Sequence, residues 1–133
     1  MGMTPRAFVA DDDPATRQVL TRVLSLLGFD ATAFDDGIAL VEAVRFERPA
    51  LIVVDQHMTH WNGTDAVRHI RTLGADCPVV FVTAFPDPTL HRVVARLGRC
   101  AILSKPVDLG VLRDCIARLL AEEREVRATA RAR

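Results

Sequence analysis

No stretch of this 133-residue chain approaches the roughly 20 consecutive apolar residues of a membrane-spanning helix, although 50% of its residues are hydrophobic. The apolar residues come in short runs cut by charged or turn-forming ones, so a soluble protein is expected. The opening Met1-Gly2-Met3-Thr4-Pro5-Arg6 lacks the apolar core of a secretory signal, and Arg6 stands where a myristoylation signal needs Ser or Thr. A cytoplasmic address is the expectation. Charge of one sign is missing too: 17 Lys+Arg balance 17 Asp+Glu, so no overall field draws the chain to nucleic acid or an anionic membrane. Cysteine is scarce; Cys77, Cys100 and Cys115 are odd in number and lie among apolar residues, which suits reduced core thiols rather than a disulfide frame or a zinc site. No internal repeat and no linker rich in proline, glycine or serine marks a second unit, and the chain reads as one stand-alone domain.

What is present is a rhythm. Five short apolar runs recur at similar intervals, at residues 7–10, 31–34, 51–54, 79–82 and 101–103. They are apolar at successive rather than alternate positions, the pattern of strands covered on both faces in a parallel sheet clad with helices. Helical patterns fill the gaps. The first opens at Asp13-Pro14, a cap and a first-turn proline, places Val19, Leu20, Val23, Leu24 and Leu27 on one stripe, and stops at Gly28. Helices are predicted about 38–47, 64–73 and 88–97, and the last aligns Leu109, Leu112, Cys115, Ile116, Leu119 and Leu120 opposite Arg113, Asp114 and Arg118. This alternation predicts a doubly wound α/β domain over residues 1–121. Residues 122–133, polar and rich in alanine and arginine, either extend the last helix or fray.

In an open α/β sheet, ligands bind beyond the carboxyl ends of the strands, near the point where strand order reverses. Four of the five runs end in polar groups: Asp11-Asp12-Asp13, Asp55, Thr83-Ala84 and Ser104-Lys105-Pro106. In a parallel sheet these share one edge. Carboxylates gathered there repel and raise one another's pKa unless a cation neutralises them. Magnesium, which takes oxygen ligands and keeps several waters, suits such a set. Lys105 adds a mobile charge whose natural partner, with no anion bound, is the Asp55 carboxylate, and Thr83 adds a hydroxyl donor. Nucleophilic carboxylate, cations and hydroxyl together make a site for an aspartyl-phosphate. Taken singly, each residue has a plainer reading. Asp13 is a helix cap, Asp11 and Asp12 turn residues, Lys105 a surface lysine and Thr83 a strand residue. Their convergence on one edge favours the site.

With these positions identified, the chain resembles the receiver domain of response regulators in two-component signalling, from about Arg6 to Leu120. The features that carry the resemblance fall in order: Asp11-Asp12, Asp55, Asn62-Gly63, Thr83-Ala84 and Lys105-Pro106. It implies a flavodoxin-like sheet of five parallel strands in the order 2-1-3-4-5, with helices on both faces. It further implies that Asp55 is the phosphoacceptor, Asp12 a direct Mg2+ ligand, Asp11 a ligand through water, and the His57 backbone carbonyl the remaining protein ligand. Thr83 would move to the phosphoryl group after transfer and Lys105 would pair with its oxygens. The implied donor is a histidine of a sensor histidine kinase or a histidine phosphotransfer protein, with an unnamed downstream protein as receiver of the signal. Such a domain catalyses only its own phosphoryl uptake and slow loss.

The sequence departs from the family pattern at named places. Thr59 stands where many receivers have a proline, and Ile102 where Tyr or Phe is common, which removes the usual aromatic partner of the threonine movement. His57 and Phe85 occupy the variable positions flanking the approach of water, and a bulky Phe85 predicts a long-lived phospho-form. The His57 side chain reads as an exposed loop histidine rather than a phosphohistidine or metal ligand, and His60, His69 and His91 show no ligand spacing. Other readings are weaker. A haloacid-dehalogenase-type phosphohydrolase needs an acid two residues after its nucleophile, where this chain has His57. A flavin-binding flavodoxin needs backbone amides and hydroxyls where this chain has three aspartates. An unphosphorylated adaptor of the same fold would have no use for the intact acid, threonine and lysine set.

Overall fold

Runs with no solvent-tolerant face belong inside a sheet, and the computed structural model, which describes residues 4–132, places them there. The absence of a signal in residues 1–3 and the final residue 133 of the tail lie outside the described residues. Every residue of β3 (Leu51–Asp55) and β4 (Val79–Thr83) is buried, as are the last four of β1 (Arg6–Ala10). β2 (Asp30–Phe34) and β5 (Cys100–Ser104) form the half-exposed edges. All neighbouring strands are parallel, in the order β2-β1-β3-β4-β5 that the resemblance implies.

Successive strand residues point to opposite faces, so each buried run feeds two cores. Phe8, Ile52, Val54 and Phe81 pack under α2 (Gly37–Phe46), α3 (Gly63–Thr72) and α4 (Pro88–Leu97). Val9, Val53, Val80 and Val82 pack under α1 (Pro14–Leu26) and α5 (Leu109–Arg131). The α1 stripe is narrower than its sequence suggests: Leu20 and Leu24 are buried, whereas Val19 is 51% exposed and Leu27 lies at the helix end. Leu109, the first residue of α5, is likewise exposed. Each helix starts at an acidic or amide cap, Asp13, Asp36, Asn62, Asp87 or Asp108, whose side chain accepts the backbone N–H three residues on. Such caps are worth about 1 kcal/mol each.

Cys77 and Cys115 are buried and Cys100 is partly so, and all three are free thiols. Burial pushes the Cys77 thiol up to about 11. The Arg71 guanidinium donates to the carbonyls of Ala75, Cys77, Leu97 and Gly98, joining the end of α3 to the turn before β5. α5 runs unbroken to Arg131, and Glu123 on its inner side is buried with its carboxylate against the guanidinia of Arg99 and Arg127. Among the described residues no helix is long and apolar enough to cross a membrane.

Candidate functional site

The carboxyl edge of the sheet gathers side chains from four strand ends. Asp11 follows β1, its backbone N–H bonded to the Phe34 carbonyl and its side chain fully buried. One Asp11 oxygen caps the Asp13 N–H at 2.9 Å, and Arg17 of α1 donates to the Asp11 carbonyl at 2.8 Å, so the acidic turn is fixed from both sides. Asp12 is exposed, while Asp13 is a helix cap, as its following proline suggests. Asp13 bonds Thr16, and those bonds hold its carboxyl below the ordinary range.

Asp55 ends β3 and is 4% exposed; its Oδ1 accepts the His57 N–H at 3.2 Å. Lys105 leaves β5 with its N–H on the Thr83 carbonyl, and its Nζ lies 3.2 Å from Asp11 Oδ2 and 3.3 Å from Asp55 Oδ2. The lysine is therefore shared between two carboxylates rather than paired with Asp55 alone. The fully buried Thr83 ends β4, and its Oγ1 accepts the Phe85 N–H at 3.1 Å. One oxygen from each of Asp11, Asp12 and Asp55 lies within 4.8 Å of the others.

These distances set the electrostatics. Burial raises the Asp55 pKa, the Asp11 charge raises it further, and the His57 N–H and Lys105 only partly offset both. Burial works against the charge on Lys105, but the neighbouring Asp11 and Asp55 outweigh it and hold its pKa above the ordinary value. Three carboxylates against one ammonium leave uncompensated negative charge at this edge of the sheet, a donor set that fits a hard divalent cation.

The loop after Asp55 shows how the chain manages without a proline at Thr59. Trp61 stacks on His69 of α3 at 4.3 Å between ring centroids. A Cβ on Gly37 would stand 3.1 Å from the Trp61 carbonyl, so α2 meets this loop at close range. Gly63 is more constrained still: a Cβ there would fall 2.7 Å from the Asp55 carbonyl, which only glycine avoids. His57 is exposed, its ring edge-on to Phe85 at 6.0 Å, while His60, His69 and His91 lie on the surface. Ile102, where an aromatic is common, is partly buried against the α2–α4 core.

Sequence reasoning brought together Asp11, Asp12, Asp55, Thr83 and Lys105, and the structure places all five on one edge. It missed Arg17 and Gln56. One unused signal favoured Lys105: it is the only lysine in the chain, whose other cationic side chains are arginine and histidine.

Fold and pocket together define a flavodoxin-like α/β domain with an acidic, cation-ready pocket at the switch point of its sheet. The model of the response regulator receiver domain matches residues 7–117, and the chain belongs to that family, the receiver module of two-component signalling. It is 32% identical over 125 residues to the sensory/regulatory protein RpfC of Xanthomonas campestris pv. campestris, covering 91% of this chain and 17% of that one. It is 33% identical over 120 residues to the response regulator MprA of Mycobacterium ulcerans, covering 90% of this chain and 50% of that one. The chain thus spans at most half the length of these relatives. A solved response regulator receiver protein from Pseudomonas putida superposes with a TM-score of 0.81 at 28% identity, covering 89% of this chain and 99% of that one.

Proposed function

We propose that this receiver domain takes a phosphoryl group on Asp55 from a histidine of a sensor kinase or phosphotransfer protein, and that the added charge alters the surface around α4. The observation that supports it is the half-neutralised pocket: a buried carboxylate held by the His57 N–H and by Lys105, beside two further acids. In the transfer, a P–O bond forms to Asp55 as the P–N bond to the donor imidazole breaks, and the electron pair stays on the leaving nitrogen. A magnesium ion, held by Asp12, Asp55 and the His57 carbonyl with Asp11 acting through water, would neutralise charge on the phosphoryl oxygens. Lys105 already stands against Asp55 and would meet the same oxygens. The unit proposed to do this spans residues 1–121, with the rest of α5 as an extension.

Phosphorylation brings about −1.5 to −2 charge and three acceptor oxygens. Thr83 Oγ1 can donate to one of them while it keeps accepting from Phe85, so drawing it inward drags the Phe85 backbone along. Residues 84–89 are all exposed, and little packing resists their movement. Two hydrogen bonds to charge, at about 1.5–3 kcal/mol each, approach the roughly 5.5 kcal/mol that inverts a 1:99 equilibrium. The exposed face of α4 with His91, Arg92 and Arg96 is the docking surface this would reshape.

Incubated with acetyl phosphate, the chain is expected to gain one phosphoryl group in Mg2+ buffer and none in EDTA, read by intact mass. An unmodified mass in Mg2+ would sink the proposal. The edge-on pair of His57 and Phe85 would screen one side of the approach to Asp55. Phe85→Ala is therefore expected to shorten the life of the phospho-form by about tenfold at most, a barrier change of about 1.4 kcal/mol. An unchanged decay of the label in both proteins would remove Phe85 from that role.

A further inference from the structure

Gln56 lies between the two residues whose geometry matters most, the Asp55 carboxylate and the His57 carbonyl, and every polar group it owns is engaged. Its N–H donates to the Val82 carbonyl at 3.1 Å, which ties it to β4. Its carbonyl accepts the Gly63 N–H at 2.9 Å. Its side-chain Oε1 accepts the Thr64 N–H at 2.9 Å, and its Nε2 donates to Thr64 Oγ1 at 3.2 Å. A backbone N–H can only donate, so the Thr64 amide alone fixes which end of the carboxamide is oxygen. Thr64 is buried and passes the constraint on, its hydroxyl donating to Asn62 Oδ1, which also caps Asp65.

The brace reaches the pocket through one peptide unit. The His57 N–H donates to Asp55 Oδ1, and that N–H belongs to the peptide whose other half is the Gln56 carbonyl. Fixing Gln56 at four points therefore fixes both the carboxylate rotamer of Asp55 and the start of the segment bearing the His57 carbonyl. Thr59 provides no ring to stiffen the far side of that segment. We propose that Gln56 is a positioning residue: its carboxamide, clamped on Thr64, holds Asp55 and the His57 carbonyl in the arrangement that receives the divalent cation. The inference rests on the function proposed above and adds a residue to it.

The test is Mg2+ affinity, measured by titration calorimetry or by the fluorescence of Trp61, the one tryptophan, which sits in the same loop. Gln56→Leu, which removes both bonds to Thr64, is expected to weaken Mg2+ binding by about tenfold, the low end for groups that orient metal ligands, and Thr64→Val, which removes only the bond to the hydroxyl, by about threefold. The double variant is expected to bind little more weakly than Gln56→Leu alone, because the bond to Gln56 that Thr64→Val removes is one of the two that Gln56→Leu removes. Thr64→Ser keeps the hydroxyl and is expected to bind as the wild type does. Melting temperatures in EDTA separate positioning from general damage. Stable variants that bind Mg2+ as tightly as wild type would overturn the inference, as would full additivity in the double variant. If Gln56→Leu does not fold, Thr64→Val against Thr64→Ser decides alone, and equal affinities there overturn it. Failure of the wild type itself to bind Mg2+ would instead overturn the proposed function.

Discussion

Asp55→Asn is expected to take up no phosphoryl group from acetyl phosphate and, in metal-free buffer, to unfold at a higher temperature than wild type. The first effect follows from the proposed role of the Asp55 carboxylate as the phosphoryl acceptor. The second follows from its electrostatics. The native pKa of Asp55 lies above the ordinary 3.8, so the native state binds this proton more tightly than the unfolded chain does. The stability it contributes is complete below the unfolded pKa and is lost as pH rises through the raised native one. At neutral pH the ionised Asp55 is a cost to the fold. Two like charges about 4 Å apart repel by about 4 kcal/mol at an effective dielectric of about 20. Lys105 contacts both acids and offsets part of this. A net gain of about 1 kcal/mol in the Asn variant, roughly 4 °C, is therefore expected. Mg2+ should raise the melting temperature of wild type much more than that of the variant. Thermal melts at pH 7.5 with EDTA or Mg2+ check this, and a variant less stable than wild type in EDTA would refute the electrostatic account.

Lys105→Met should act in the opposite sense on stability and split two properties of the site. The lysine's native pKa is raised, so its stabilisation is complete below the ordinary 10.5 and disappears only as pH rises through the higher native value. At neutral pH the substitution removes that contribution in full. It leaves the buried carboxylates of Asp11 and Asp55 without their cation. Breaking a buried pair costs about 3–5 kcal/mol, and about 2–3 kcal/mol is expected here because Lys105 keeps access to water. Lowering the pH should recover part of the loss, because the Asp55 pKa is raised by burial and by the Asp11 charge and its protonation removes a buried charge. The same change leaves more uncompensated negative charge, so Mg2+ should bind several-fold more tightly. Phosphoryl uptake should nevertheless slow by about 10- to 150-fold, since a charge-assisted bond of about 1.5–3 kcal/mol to the transferring oxygens is gone. Chemical denaturation, calorimetry with Mg2+ and initial rates by intact mass measure the three effects separately. Looser Mg2+ binding in the variant would show that Lys105 does not compete with the cation for the acids.

Much of this arrangement was legible because each signal was local. Unalternating apolar runs named the five strands, and their parallel alternation with helices made the strand ends one edge, which is how Asp11, Asp55, Thr83 and Lys105 could be grouped from residues up to 94 positions apart in sequence. The Asp13 cap was readable from the proline after it. Gln56 was not readable, since its partner Thr64 lies across a turn whose shape depends on Gly63 pressing against the Asp55 carbonyl. Nor was the sharing of Lys105: a sequence can give a lysine an acidic neighbourhood, but the choice between two acids is a matter of tenths of an ångström.

The amino-acid sequence by itself determined the strands, the start of α1 and the grouping of acids, threonine and lysine at the strand ends, because periodicity and capping act over a few residues and strand ends collect wherever the sheet is parallel. Tertiary structure alone decided which stripe residues are buried, how far α5 continues, and that Arg71, Arg17 and Gln56 serve as fasteners. Those outcomes depend on atoms from distant segments meeting within hydrogen-bond range, where displacement by an ångström removes the bond.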